Sequence, residues 1–499
     1  MNVAPPRVLA VGLPRLLAGL EFTDRLDRVG HLTTHGTLPA LRTEDVIALA
    51  EDIDLRGRGG AGFPFARKVR AVVESARRGD GRTAVVINGS EGEPACRKDE
   101  TLLRRSPHLV LDGALLAAEA LGSQEVVIGV TQPYVERSVS EALAERGPLG
   151  RSVRVEMLPE RFVTGEGTAL TRGLNTGITL PPGRKVRTCD SGLRGLPTLL
   201  SNTETFTQLA IAARLGALGY RTTGLPDEPG TVLLTIMGQI VIEAPTGVPI
   251  SHILNMCGMT TGQGVLIGGY HGKWIDGTSA QLASISRESL GAFGGVLGAG
   301  AILPLPESVC PLGESARVLR WLAGETAGQC GPCWRGLPAL ADHFEELAYA
   351  GGRSAFDGVN AYMEAVKGRG ACSHPDGTAR FALSSLEVFS EDVAEHAYGR
   401  GCGRPVRGLL PLENGVGAPE RKALPAGPSS RTEESTERLV VDWTLCEGHG
   451  LCADVLPDVV SLGTDGYPAS ASMPLPGHLR QQARRAIRRC PALALRLER

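Results

Sequence analysis

Short apolar runs alternate with stretches of helical periodicity along the first half of the chain. The runs at residues 84–87, 125–130 and 153–157 are compact and rich in valine, which is typical of buried parallel strands. Between them, apolar residues recur at helical spacing at 44–52, 66–75, 108–121 and 134–145. This alternation predicts a layered α/β domain that binds its ligand where the strands end.

The second half of the chain changes its pattern twice. Residues 231–249 predict two strands, and a helix at 250–257 and a strand at 264–267 complete a small β-grasp-like module, whose simplest role is that of a spacer. Helical spacing follows at 316–323, 336–349, 358–367 and 379–396. The expected parts are therefore an irregular lead-in (1–40), an α/β domain (41–220), a β-grasp-like domain (221–285), a helical domain (286–400), a linker rich in Gly, Pro and charge (401–437), and a compact C-terminal unit (438–499).

Composition narrows the class of protein. The 499 residues are 42% apolar and carry a net charge of −2, so charge gives no reason to expect a nucleic acid or a membrane surface as partner. Pro14 and Arg15 interrupt the one apolar run near the start, and no run is long enough to span a bilayer, so we expect neither a signal peptide nor membrane insertion. Eleven unevenly clustered cysteines favour metal ligation in a reducing compartment, and we expect a cytoplasmic protein.

The window at residues 55–64 combines four glycines with two arginines and a phenylalanine. Glycine lets a ligand approach the main chain closely, and successive free N–H groups form a cradle for an anion. Lys68 adds a cation, and the helix expected at 66–75 would place the loop at a helix N-terminus, where phosphate binds well. The loop suits a phosphorylated cofactor; the alternative is a glycine-rich turn with no ligand.

The cysteines fall into two sets with ligand-like spacing. Cys330 and Cys333 form a Cys-x-x-Cys pair, and Cys372 lies 39 residues beyond it; zinc, a redox dithiol or no ligand are all compatible with a lone pair.

The C-terminal set is sharper, because Cys446 and Cys452 flank His449 and precede a remote Cys490-Pro pair, as in ferredoxins. Three thiolates suit a [3Fe–4S] cluster, or a [4Fe–4S] cluster with His449 as the fourth ligand; the alternative is three buried structural cysteines.

Together these motifs carry a resemblance to a known family. Residues of about 40–400 resemble the NADH- and FMN-binding flavoprotein subunit of respiratory complex I and its relatives in NAD-linked hydrogenases and formate dehydrogenases. The resemblance rests on Arg56-Gly-Arg-Gly-Gly-Ala-Gly-Phe-Pro64 with Lys68, Asn88-x-x-Glu-Gly-Glu-Pro94, Gly165-Glu166 and Asn202-x-Glu-Thr205. Residues 438–499 resemble the small [3Fe–4S] ferredoxins that serve cytochromes P450.

The resemblance implies a fold and a set of site residues. The fold would be α/β, with a Rossmann-like FMN-binding layered domain, a β-grasp insert, a helical iron–sulfur bundle and a C-terminal α+β ferredoxin. Cys330, Cys333 and Cys372 would hold a [4Fe–4S] or [3Fe–4S] cluster. The residues implied to hold FMN are Gly57, Arg58, Gly59, Gly60, Lys68, Asn88 and Asn202, and Ser90 and Gly165 are further expected cofactor-binding residues. The residues implied to line the nicotinamide nucleotide site are Phe63, Glu91, Glu93 and Glu166, with Glu93 and Glu166 as the catalytic pair.

The chain also departs from the pattern of the family it resembles. Ala327 stands where the first cysteine of the cluster run is usual, so the cluster is three-iron, has a non-cysteine ligand, or is missing. Ser90 and Gly167 replace carboxylates near the flavin, and two of the aromatic residues that sandwich adenine are lost. A less negative site would admit NADPH, whose extra phosphate Arg187 would pair with.

Two functions follow from these features. The first is an oxidoreductase that takes hydride from NAD(P)H onto FMN and passes single electrons through iron–sulfur clusters to the fused ferredoxin and an external acceptor. The second is a non-catalytic relay or assembly subunit that kept the fold, which Ala327 and the lost carboxylates favour. The intact glycine loop favours the first. Expected partners are a thioredoxin-like iron–sulfur subunit or a cytochrome P450-type acceptor.

Overall fold

The computed structural model describes residues 4–150, 152–183, 186–412, 437–463 and 466–498. The first half of the chain forms an α/β layer. Its elements are β1 (Arg7–Ala10), α1 (Arg28–His35), α2 (Thr43–Asp52), α3 (Phe65–Arg78), β2 (Ala84–Gly89), α4 (Lys98–Arg105), α5 (Pro107–Ala120), β3 (Glu125–Val130), α6 (Pro133–Arg146), β4 (Ser152–Met157), α7 (Gly167–Thr176), β5 (Thr198–Asn202) and α8 (Thr203–Tyr220).

Four of these strands build a parallel sheet in the order β4-β3-β2-β5. The central strands β2 and β3 are almost fully buried, because helices cover both faces, as the continuous apolar runs predict. Helices α5 and α8 cross so closely that a Cβ on Gly113 would lie 1.8 Å from the carbonyl oxygen of Phe206. The predicted layered α/β fold is confirmed.

A second sheet follows, in the order β1-β9-β8-β12-β10-β11. The elements of this part of the chain are β6 (Gly224–Leu225), β7 (Glu228–Pro229), β8 (Thr231–Ile236), β9 (Ile240–Pro245), α9 (Ile250–Met256), β10 (Gly264–Ile267), β11 (Lys273–Asp276), α10 (Gly277–Leu282), α11 (Arg287–Ala292) and β12 (Ala301–Leu305). The mixed sheet packs against α9, in keeping with the predicted β-grasp-like module.

The sheet recruits strands from outside the stretch that predicted it. β1 pairs in parallel with β9, so the expected irregular lead-in contains a strand, and it also contains helix α1. The buried carboxylate of Glu243 holds the lead-in by accepting the N–H groups of Arg15, Leu16 and Leu17. β12 lies in the stretch expected to be helical and pairs with β8 and β10. Four- and five-residue strands whose partners are far along the chain leave no local period to detect.

The helical part consists of α12 (Pro311–Gly324), α13 (Leu337–Tyr349), α14 (Arg353–Val366), α15 (His374–Val388) and α16 (Ser390–Ala397). The helix predicted at 379–396 is two helices, because the backbone leaves helical geometry at Phe389. Residues 401–412 of the expected linker pack on this bundle, where the Glu314 carboxylate accepts the N–H groups of Arg407, Gly408 and Leu409. Residues 413–436 of the expected linker lie outside the described residues.

The C-terminal unit is a small α+β fold. Its elements are β13 (Arg438–Val441), α17 (Leu451–Val455), β14 (Ser472–Pro474), α18 (Arg480–Arg489) and β15 (Leu495–Glu498). The strands form an antiparallel sheet in the order β14-β13-β15 over its own apolar core, as predicted for a ferredoxin-like unit. Among the helices of the described ranges, we find none with the length and apolarity needed to traverse a bilayer.

Candidate functional site

Two asparagines meet at the carboxyl edge of the parallel sheet. Asn88 near the end of β2 is the register partner of Asn202 at the end of β5. The Asn88 amide donates to the carbonyl oxygen of Gly165 at 2.9 Å, and its Oδ1 accepts the Ser90 N–H at 3.2 Å. Asn202 caps α8 by accepting the Glu204 N–H at 3.0 Å. The fold therefore brings three separate sequence motifs to one edge, where open sheets bind ligands.

The glycine-rich loop closes over this edge. The Gly57 N–H donates to the Phe63 carbonyl at 2.9 Å. Gly60 adopts a φ of +115°, a backbone angle that residues with a Cβ atom rarely adopt. A Cβ on Gly59 would lie 3.3 Å from Cβ of Asn202, so glycine allows the loop to touch the second asparagine motif. The Arg58 N–H donates to Oγ1 of Thr205 at 2.9 Å and locks the loop onto α8.

A cavity of about 400 Å³ lies beside the loop. Phe63, Lys68 and Glu166 line it together with Arg187. The Lys68 ammonium donates to the carbonyl oxygen of Leu200 at 2.9 Å, and burial lowers the pKa of Lys68. This size falls within the usual range for cofactor pockets.

Two of the residues that line this cavity already have partners. Glu166 caps α7 by accepting the N–H groups of Thr168 and Ala169 at 3.0 and 2.8 Å. Arg187 is exposed and pairs with Asp190 at 2.9 Å.

Glu91 and Glu93 line a second, smaller cavity of about 210 Å³. Glu91 accepts the N–H groups of Asp99 and Glu100 at the start of α4, and Glu93 accepts the Tyr270 N–H at 2.5 Å. Burial raises the pKa of Glu91 to about 8, with repulsion from Asp99 adding to it, and burial raises the pKa of Glu93 to about 8 as well. The four predicted nucleotide-site residues thus divide between two cavities, Phe63 and Glu166 in one and Glu91 and Glu93 in the other.

A buried ion network supports the asparagine motif, and sequence reasoning missed it. The Lys98 ammonium pairs with Asp99 at 2.8 Å and with Glu204 at 3.2 Å, and it donates to Oδ1 of Asn202 at 3.2 Å. Burial lowers the pKa of Lys98, but the surrounding carboxylates outweigh it and raise the pKa above the usual value. The sequence did contain one signal for this network, Glu204 in the Asn202 motif. A carboxylate buried at the start of a helix is normally paired with a cation.

Buried polar atoms without partners test whether this edge suits a flavin nucleotide. The hydroxyls of Ser90 and Ser201 are buried and make no hydrogen bond within the described residues, and Nε of Arg58 makes none either but lies 3.9 Å from the Glu204 carboxylate. All three belong to the glycine loop or to the ends of β2 and β5, and buried polar groups of this kind are normally satisfied. A guanidinium and two hydroxyls match the phosphate and ribityl oxygens of FMN, so these residues fit that cofactor.

The first cysteine set lies in the helical unit. Cys330 and Cys333 are buried, with their sulfurs 3.5 Å apart, at a π-helical turn over Pro332–Gly336. Cys372 lies just before α15, and burial raises its pKa to about 11. The hydrogen bond with Cys333 lowers the pKa of Cys330 to about 6, and thiolates are the natural ligands of iron–sulfur clusters. Ala327, three residues before Cys330, is half-buried, and its methyl side chain offers no ligand atom.

An aromatic cluster joins this unit to the segment beside the carboxyl edge of the parallel sheet. Phe162, three residues before Gly165, packs edge-on against His271 and Trp321 with ring centroids 4.6 and 5.4 Å apart. The Phe162 N–H donates to the carboxylate of Glu325 at 2.9 Å. Phe162 therefore fixes the segment that carries Gly165 and Glu166 onto the helical unit.

The fold brings the three cysteines of the second set together. Cys446, Cys452 and Cys490 line one small cavity together with His449. Burial raises the pKa of Cys446 and of Cys452, and the Cys490 sulfur accepts the Ala494 N–H at 3.3 Å. His449 is partly exposed and lies 3.7 Å from Glu447. The donor set fits an iron–sulfur cluster.

The ferredoxin-like unit lies against the first cysteine set. A cavity of about 640 Å³ has Cys330 in one wall and Cys446 in another. The contact is tight at Gly331, where an added Cβ would lie 2.2 Å from the methyl carbon of Thr444. The two cysteine sets therefore face a common space.

These features define a class of protein: a flavin and iron–sulfur oxidoreductase with a second cluster unit attached. Family models agree over three ranges. Residues 50–211 match the Nuo51 FMN-binding domain, residues 313–396 match the NADH-ubiquinone oxidoreductase-F iron-sulfur binding region, and residues 439–497 match a 4Fe-4S single cluster domain.

Similar proteins identify the family. The chain is 30% identical over 392 residues to the F subunit of NADH-quinone oxidoreductase from Streptomyces coelicolor, covering 73% of this chain and 85% of the relative. The corresponding F subunit from Aquifex aeolicus is 27% identical over 78% of this chain and 96% of its own length. The chain belongs to the family of NADH-quinone oxidoreductase F subunits. It is an NADH dehydrogenase-type oxidoreductase whose cofactors are FMN and iron–sulfur clusters. Its activity is electron transfer from NADH to FMN and then through those clusters.

Solved structures agree on the fold. An NAD+-reducing [NiFe]-hydrogenase in the H2-reduced state superposes with a TM-score of 0.68 and 24% identity, over 79% of this chain and 68% of the hydrogenase chain.

Proposed function

We propose that this chain binds FMN between the glycine-rich loop and the two asparagines, and that it delivers electrons to its own ferredoxin-like unit. The observation that carries the proposal is the two unpartnered buried hydroxyls of Ser90 and Ser201 around the Asn88–Asn202 pair, together with Nε of Arg58, which makes no hydrogen bond. When bound, FMN accepts hydride from a reduced nicotinamide and releases electrons singly to iron.

Each residue of the site would have a distinct task. Arg58, Lys68 and the N–H groups of the glycine loop would hold the phosphate, while Ser90 and Ser201 would bind ribityl hydroxyls. Phe63 is 46% exposed at the mouth of the larger cavity, which suits a ring that stacks on the incoming nucleotide. Glu166 would orient the nucleotide from the opposite wall.

The exit path is proposed to run from the cluster at Cys330, Cys333 and Cys372 to the cluster at Cys446, Cys452 and Cys490. The shared cavity supports this order, because it has one cysteine of each set, Cys330 and Cys446, in its walls.

We further propose that Arg187 decides how well NADPH competes with NADH. Its guanidinium lines the cavity beside Phe63, where an additional phosphate would displace Asp190 as its partner. Arg187→Ala should lower kcat/KM for NADPH and leave kcat/KM for NADH nearly unchanged. An unaltered ratio of the two would refute this assignment.

The relatives named above are subunits, and we infer that this chain also works with further proteins. The candidates are a thioredoxin-like iron–sulfur subunit on the flavin side and a cytochrome P450-type acceptor for the ferredoxin-like unit. Co-purification under reducing conditions distinguishes them.

The cytoplasm is the proposed location, because eleven thiols suit a reducing compartment.

The test of the flavin site uses two matched serines. Ser90 and Ser106 both carry buried hydroxyls without a partner in the described residues, but Ser106 lies at the start of α5 and away from the glycine loop. Ser90→Ala should weaken FMN binding about 2- to 12-fold, the value of one neutral hydrogen bond, whereas Ser106→Ala should not. Flavin affinity is measured by fluorescence titration of the purified full chain.

The same preparation tests the activity. Under anaerobic conditions NADH or NADPH should bleach the flavin absorbance of the wild-type chain. A chain that takes up no FMN, or whose flavin neither nucleotide reduces, would contradict the proposal and favour the relay or assembly role.

A further inference from the structure

Three potential metal ligands meet away from the flavin edge and from both cysteine sets discussed above. They are Cys310 before α12, His396 near the end of α16, and Cys402 in the segment that follows. Their ligand atoms all lie within 4.8 Å of one another. Cys310 and His396 are buried, and Cys402 is half-buried.

The geometry matches a tetrahedral ion. The Cys310 sulfur lies 3.6 Å from Nε2 of His396. Bonds of about 2.3 Å to sulfur and about 2.0–2.1 Å to nitrogen, opened to a tetrahedral angle, place these atoms about 3.6 Å apart. No rearrangement of this pair is needed to admit a metal between them.

The histidine presents the correct nitrogen. Its Nδ1 lies 3.2 Å from the carbonyl oxygen of Leu347, which accepts only, so Nδ1 carries the proton and Nε2 carries the lone pair. A carbonyl that orients the second nitrogen in this way is the usual support of a metal-bound histidine. Nε2 now accepts the Cys402 N–H at 3.2 Å, and a metal would replace that hydrogen bond.

The charges also balance. Two thiolates cancel the charge of a divalent ion, so the occupied site is neutral and its burial carries no uncompensated charge. Arg404 pairs with Asp392 and also interacts with Cys402, so its own charge is balanced while it faces the site. The Cys310 sulfur accepts the Gly313 N–H at 3.3 Å, which fixes the position of the sulfur.

We propose that Cys310, His396 and Cys402 bind one Zn²⁺, with a water as the fourth ligand. Binding releases the two thiol protons and forms two zinc–sulfur bonds and one zinc–nitrogen bond, with no change of oxidation state. Mixed thiolate and imidazole ligands select zinc over the hard cations.

The site would tie together three separate pieces of chain. It joins the start of α12 to the end of α16 and to residue 402, close to where Glu314 on α12 receives the N–H groups of Arg407, Gly408 and Leu409. The ion would thus anchor the segment that leads out of the helical unit toward the ferredoxin-like unit.

The test measures metal content and coordination in the full-length holoprotein. After treatment with EDTA, the wild-type chain should retain about one zinc, and the zinc X-ray absorption spectrum should show two sulfurs and one imidazole nitrogen. Cys402→Ser and His396→Gln should each lower zinc content at least about tenfold, while FMN and iron stay unchanged. Cys257→Ser, a half-buried thiol in the sheet unit, is the matched control and should retain the metal.

Three results would overturn the assignment. The first is a wild-type chain that holds no zinc even after reconstitution with zinc chloride. The second is a sulfur-only coordination shell, which would place the zinc in the cluster cysteines. The third is a disulfide between Cys310 and Cys402 in the anaerobic wild type. The spectrum of the wild type decides the matter even where a variant fails to fold.

Discussion

Gly331→Ala is a direct test of whether the ferredoxin-like unit works from the position seen here. Gly331 has helical angles (φ −54°, ψ −45°), so alanine fits its backbone and would by itself favour the helix by about 1 kcal/mol. The obstacle is Thr444 of the ferredoxin-like unit, whose methyl carbon would lie 2.2 Å from the new Cβ. Overpacking of this kind costs about 1–3 kcal/mol, which lowers the equilibrium constant for docking about 5- to 150-fold.

The assay separates early from late electron transfer. NADH-driven ferricyanide reduction reports electrons leaving the flavin and should not change in Gly331→Ala. Freeze-quench EPR of the cluster at Cys446, Cys452 and Cys490 should show slower reduction, by up to the factor above.

Thr444→Ser provides the matched rescue. Serine keeps the hydroxyl that donates to Asp442 at 2.5 Å and removes the clashing methyl group. The double variant should therefore recover most of the rate, giving a coupling energy in a double-mutant cycle. Unchanged ferredoxin reduction in Gly331→Ala, or a loss that Thr444→Ser does not restore, would refute the docked arrangement as the competent one.

Three further outcomes follow from the structure. Ala327→Cys supplies the missing thiolate of the first cysteine set, so iron should rise by about one atom per chain with a four-iron EPR signal; unchanged iron would contradict this. Burial raises the pKa of Glu93 from 4.5 to about 8, so the folded chain holds the proton that the unfolded chain releases, and stability falls as pH rises between these values, by at most about 5 kcal/mol. Glu93→Gln should shrink the difference between stabilities measured by urea unfolding at about pH 6 and about pH 8.5, and an equal difference would disprove the assignment. Gly113→Ala pushes α5 from α8 and should cost about 3 kcal/mol in thermal unfolding, whereas Gly291→Ala, with open space around it, should not.

Local pattern predicted most elements of the fold, and particular cases show why. β3 and β10 match the predicted ranges, because each is a compact apolar run bounded by polar residues. β1 and β12 were missed, because each is short and is stabilised only by strands far away in sequence. The break at Phe389 was missed for a related reason, since apolar spacing continues across it while the backbone does not.

The candidate site divides in the same way. The glycine loop and the cysteine spacings carry their chemistry within a few residues, so the sequence indicated a phosphorylated cofactor and metal ligation, and the family resemblance then implied FMN and iron–sulfur clusters. The pairing of Asn88 with Asn202 across β2 and β5, and the burial of Lys98 between Asp99 and Glu204, depend on register and packing between distant segments.

What the sequence alone indicated about this protein is a general ligand chemistry: N–H groups and cations suited to a phosphorylated cofactor, and thiols spaced for metal ligation, while FMN and iron–sulfur clusters followed from the family resemblance. What only the tertiary structure decided is which groups meet. It turned Glu93 toward Tyr270, brought Cys330 and Cys446 to one cavity, and gathered Cys310, His396 and Cys402 from three segments. The physical reason is that residue spacing reports only neighbours along the chain, whereas contacts between distant segments are selected by the packing of the whole core.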